Sequence, residues 1–117
     1  MKPRTPALDR KTAMRLAATE YQRCAELLRS LDTREWGAPT ACPAWDVRQM
    51  AAHMLGMVEM AASIREGGRQ RRAATVNGNI DIDCLTALQV SERSSWSGPA
   101  ISDRFAARAR RRSEAAG

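Results

Sequence analysis

A proline-framed loop that opens onto a capped helix constrains this chain more than any other feature. Pro39 and Pro43 remove amide donors and push the residues before them toward extended backbone, so no helix runs through residues 39–45. Asp46 then offers a carboxylate to the free amides of a first turn. Gln49, three residues on, is placed to reach back to the Asp46 amide and complete a capping box. The spacing predicts a helix from Val47 to about Arg65, with Val47, Met50, Met54, Met57, Val58, Ala61 and Ile64 along one side. At about 100° per residue, His53 falls at the edge of that side. Met50, Met57 and Met60 lie three, four and seven positions away, and Gly56 leaves space beside the ring, which predicts a half-buried, thioether-lined imidazole. His53 is the single histidine of the chain.

The other apolar patterns are helical too. After Pro6 and Asp9, the residues Met14, Ala17, Tyr21, Cys24, Leu28 and Leu31 keep a three-four alternation that predicts a long first helix. Glu66-Gly67-Gly68 reads as the end of the second helix, which leaves residues 66–79 as a basic loop. A third helix is expected from about Asn79–Asp81 to near Ser94, with Ile82, Leu85, Leu88 and Gln89 or Val90 on its packed side and Asp81 and Asp83 complementing its dipole. Ser97-Gly98-Pro99 opens a short last segment, in which Ile101, Phe105 and Ala109 make a weak apolar face before Arg108, Arg110, Arg111 and Arg112. Neither strand-like alternation nor an internal repeat is visible. The expected fold class is therefore all-α: an incomplete helical bundle of three main helices over residues 1–95, then a short basic helical tail over 96–117.

A length of 117 residues suits one core. The chain has no apolar run long enough to span a bilayer and no apolar signal core near Met1, so a cytoplasmic protein without a membrane partner is expected. Cys24, Cys42 and Cys84 lack paired spacing and read as free thiols; Cys42, in the loop, is the only one placed to react, but reads first as a packing residue of that loop. The Met50, Met54, Met57 and Met60 stripe reads as core filling rather than a soft-metal site. Trp36 and Trp45 flank the loop, where they either lock it by packing or, for Trp45, wall a pocket beside His53.

One run carries a resemblance to a known family. Trp36, then Pro-Thr-x-Cys-Pro-x-Trp-Asp-Val-Arg over 39–48, then His53-x-x-Gly56, resembles the metal-binding domain of mycothiol-dependent maleylpyruvate isomerases, relatives of the DinB-like helical bundles. Leu-Thr-Ala-Leu-Gln-Val-Ser-Glu-Arg over 85–93 is similar to a following helix of that family, so the likeness spans about residues 8–95, the N-terminal part. The resemblance implies that His53 is a ligand to a divalent metal, usually zinc. It also implies mycothiol as a thiol cosubstrate that adds to the double bond of maleylpyruvate, allows rotation and leaves fumarylpyruvate. In the family the other ligands come from a later helix carrying an acidic residue and a histidine four apart. No such pair can be written here, so either the chain is the front of a longer protein or it is a divergent member without a complete metal site.

Two other readings stay beside that one. A formal charge of +6, from 19 basic against 13 acidic residues, suits an anionic partner, yet Arg69, Arg71, Arg72 and Arg108–Arg112 lack the interleaved aromatics or the motif that specific nucleic-acid reading requires. A non-catalytic helical module that dimerises or binds a partner protein is the main alternative.

Overall fold

The structure is a computed structural model and describes residues 9–116; Pro6 lies outside them. The chain is all-α apart from one small hairpin. In order come α1 (Arg10–Ser30), α2 (Thr33–Trp36), α3 (Val47–Ala62), α4 (Ile64–Ala73), β1 (Thr75–Val76), β2 (Asn79–Ile80), α5 (Ile82–Ser91) and α6 (Gly98–Ala116). Each of the first helices starts where a side chain satisfies the free amides. Asp9 accepts from the Thr12 amide at 2.7 Å, which also holds its carboxyl below the usual range. Asp32 with Glu35, and Asp46 with Gln49, form full capping boxes.

α3 is the central element and touches α4, α5 and α6, while α6 lies along α1. The core joins Ala25 and Leu28 of α1, Trp36, Ala51, Ala52 and Leu55 of α3, and Ile101, Phe105, Ala106 and Ala109 of α6. Tyr21 meets Phe105 edge to face, with ring centroids 6.3 Å apart.

Three features of the chain path depart from expectation, and Ile82, expected on the packed side of α5, stands exposed at its first position. The helix after Asp46 does not reach Arg65: Ser63 turns extended (φ −139°, ψ 123°), and its hydroxyl caps a new helix by accepting from the Glu66 amide. Ile64, expected on the apolar side, lands beyond this break and is 98% exposed. The presumed basic loop 66–79 is instead α4 followed by the β1–β2 hairpin, paired Thr75 with Ile80 and Val76 with Asn79. Asn77 and Gly78 take positive φ (51° and 80°), as a two-residue hairpin turn requires. Gly67 does not end a helix; a Cβ there would lie 2.9 Å from the Met60 carbonyl oxygen, so the residue lets α4 close on α3. Finally, the last segment is no short appendage but a 19-residue helix whose Ile101, Phe105 and Ala109 are among the most buried side chains. Among the described residues no helix is long and apolar enough to cross a membrane.

Candidate functional site

The loop motif builds a frame around His53. The Thr40 hydroxyl accepts from the Cys42 amide at 3.1 Å and lies 2.8 Å from the Trp45 carbonyl, which fixes the proline-bearing loop. The Val47 amide donates to the Ala38 carbonyl at 3.0 Å, across the bridge that joins Pro39 to Asp46. Arg48 reaches the last turn beyond α5 and donates to the carbonyls of Arg93 (3.1 Å) and Trp96 (3.4 Å). In the run Trp-Asp-Val-Arg, Asp46 therefore starts α3, Arg48 ties it to the α5 end, and Trp45 covers the histidine. The Trp45 and His53 rings lie 5.6 Å apart and inclined by 36°.

His53 is half-buried, as its helical phase predicts. It lines a cavity of about 450 Å³ between α1, α3 and α6, with Glu20, Tyr21, Cys24, Met54, Met57 and Phe105 among the other walls. Trp45 does not line that cavity; it faces a separate groove between α3 and α5 that includes Cys42. The side of α3 that is fully buried is Ala51, Ala52, Leu55 and Gly56, with Met50, Met54 and Val58 half-buried and Met57 exposed. Small residues are innermost because α3 is enclosed by three helices, and methionines fill the margins.

The ring is held by a polar chain that periodicity does not reveal. His53 Nδ1 lies 2.7 Å from Gln89 Oε1. Gln89 Nε2 donates to Gln70 Oε1 at 3.0 Å and lies 3.2 Å from Met57 Sδ. Gln70 Nε2 donates in turn to the Gly56 carbonyl at 3.1 Å. Both glutamines are fully buried, so these bonds are what makes their burial affordable. Gly56 makes room for this: a Cβ there would lie 2.5 Å from Gln89 Cγ and 2.7 Å from its Cβ. The His-x-x-Gly spacing thus seats the histidine and admits its partner. Gln89 falls within the 85–93 segment already noted for its likeness, whereas Gln70 gave no signal in the presumed loop.

Burial pushes the Cys24 thiol up, which keeps it protonated as it faces the cavity. Cys42 is half-buried and Cys84 exposed, and all three cysteines are free. Among the described residues no three His, Cys, Asp or Glu side chains are grouped to hold a metal ion. Part of the basic charge is engaged within the chain. Arg69 binds Glu66 and Glu92, the latter at 2.7 and 2.8 Å, and Arg93 and Arg108 both bind Glu59. Arg112 lies over the Tyr21 ring at 5.2 Å, and Arg93 and Arg104 flank Trp96.

Comparison with known proteins agrees with the motif. A family model described as the mycothiol maleylpyruvate isomerase N-terminal domain matches residues 17–117, from within α1 through the whole of α6. No curated protein and no solved structure gives a match. Loop frame, half-buried histidine and matched span agree, and the chain belongs to the mycothiol maleylpyruvate isomerase N-terminal domain family.

Proposed function

We propose that this chain is a metal-binding helical module that contributes His53 as one imidazole ligand to a divalent cation, zinc being the ion suited to such nitrogen donors. The observation that carries this reading is the seating of the ring. It stands at the wall of an apolar cavity with Nδ1 tied to buried Gln89, and Nε2 takes no hydrogen bond among the described residues. Ligating histidines are characteristically held in this way, through the nitrogen that does not meet the metal. The donors present do not by themselves fit the ion, since zinc uses about three or four protein ligands and no such group occurs among the described residues. The other donors come from outside them, from further chain or a second copy. Family membership supports a small thiol, mycothiol, as the co-reactant of the complete site, in an isomerisation or transfer.

Zinc analysis of the purified protein after gel filtration tests the reading. With the remaining donors supplied by a second copy, wild type is expected to elute as a dimer that carries zinc, and His53→Ala to lose that zinc, with both proteins equally folded by circular dichroism. Equal zinc in the two sinks it.

A second reading, a non-catalytic interaction module, is favoured by one observation: Leu27, Ile64 and Ile82 are 61%, 98% and 67% exposed. Under it, sedimentation equilibrium shows self-association that is independent of zinc and of His53. A monomer across the concentration range rules out the dimeric form.

A further inference from the structure

The polar chain behind His53 has a fixed direction, and that direction reaches the imidazole. A backbone carbonyl can only accept, so the Gly56 oxygen requires the NH₂ end of the Gln70 amide at 3.1 Å. This turns Gln70 Oε1 toward Gln89, which must then present its own NH₂ at 3.0 Å. The second hydrogen of that NH₂ points to Met57 Sδ at 3.2 Å, a weak acceptor that an amide oxygen would repel. Gln89 Oε1 is left facing His53 Nδ1 at 2.7 Å, and an amide oxygen can only accept. A flip of either amide would set oxygen against oxygen between side chains that are closed to bulk solvent.

We propose that Gln70 and Gln89 are positioning residues. As a two-amide relay from the Gly56 carbonyl, they hold the His53 proton on Nδ1 and leave the lone pair on Nε2. An unconstrained histidine in water prefers the opposite tautomer, with the proton on Nε2 and no lone pair there for a cation or a proton. The relay converts Gly56, Gln70 and Gln89, which come from α3, α4 and α5, into one determinant of what His53 can do. Its consequence for metal binding rests on the reading of His53 as a ligand; the tautomer itself does not.

Nitrogen-15 NMR of labelled wild-type protein, at a pH well above the imidazole's titration, reads the tautomer directly. Nδ1 is expected in the pyrrole-like range and Nε2 in the pyridine-like range, with the Nδ1–H form about tenfold in excess, as one buried hydrogen bond provides. Gln89→Leu is expected to return the ring to the Nε2–H form. Gln70→Leu frees the Gln89 amide to flip and is expected to shrink the excess severalfold, which a packing role alone would not do. An Nε2–H majority in wild type overturns the proposal without recourse to any variant. An unchanged ratio in folded Gln70→Leu overturns the relay beyond Gln89. Zinc added to the same sample tests the ligand reading separately. Movement of the Nε2 resonance supports ligation, whereas a spectrum indifferent to zinc counts against ligation and leaves the tautomer ratio to decide the relay.

Discussion

Gly56 shows how one residue without a side chain governs a charged or polar neighbour. Its missing Cβ leaves the space that Gln89 fills, and its carbonyl anchors Gln70. Gly56→Ala would force Gln89 aside by most of an atomic radius within an enclosed layer, a change that typically costs about 1–3 kcal/mol. Urea unfolding of this variant is expected to show that loss, and the Trp45–His53 contact is expected to loosen, read as altered ring shifts of His53 by NMR. A midpoint equal to wild type would show that the α3–α5 contact is slack. Histidine phase and capping residues were legible at this scale because each depends on neighbours within one or two turns. Gln89 was legible only as one of two candidates for the packed side of its helix, and neither its tie to His53 nor the burial of Gln70 was. Glutamine is ordinarily a surface residue, and the partners that make these two buriable stand 14 and 19 residues apart in sequence.

At the scale of the element, α4 is the instructive case. Two glycines and a run of arginines gave Glu66–Asn79 the look of a loop, because glycine disfavours helix in the absence of tertiary contacts. Here contacts decide the matter. Gly67 permits close approach to Met60, Gln70 is buried, and Arg69 bridges Glu66 in its own helix to Glu92 beyond α5. The Arg69 guanidinium, by its hydrogen bonds to Glu66, holds that carboxyl below the ordinary range. A carboxyl lowered by folding adds stability above its unfolded pKa of about 4.3, and that contribution fades as the pH falls through its lower folded value. Arg69 is 48% exposed in its side chain, so the whole effect is at most about 1 kcal/mol and is screened by salt. Thermal melts from about pH 6 to about pH 3 are expected to show a slightly steeper fall for wild type than for Arg69→Gln, with the difference shrinking in high salt. Identical slopes would show that α4 is held by Gln70 and Gly67 alone.

For the whole molecule, the last helix carries what its sequence understated. Ile101, Phe105 and Ala109 seemed a weak face beside four arginines, but in a chain with one phenylalanine a single ring weighs heavily in the core. The arginines are not merely a solvated tail, since Arg108 and Arg112 reach back to α3 and α1. The joint among α3, the end of α5 and α6 is Glu59, one carboxylate shared by the guanidiniums of Arg93 and Arg108, the latter at 3.0 Å. Arg93 and Glu59 have side chains only 8% and 11% exposed, so the pair is desolvated and its members depend on each other. Glu59→Gln keeps the shape but leaves two cations crowded without a counter-charge, and is expected to cost about 3–5 kcal/mol. Arg108→Gln removes the more exposed partner, at 25%, and leaves Glu59 paired with Arg93, so its cost should be well below that. Denaturant midpoints of the two variants decide the point. If Glu59→Gln is no worse than Arg108→Gln, the carboxylate is not the common anchor. α3 and α6 would then be held together by apolar packing through Leu55, Ile101 and Phe105, and the end of α5 by the Arg48 hydrogen bonds.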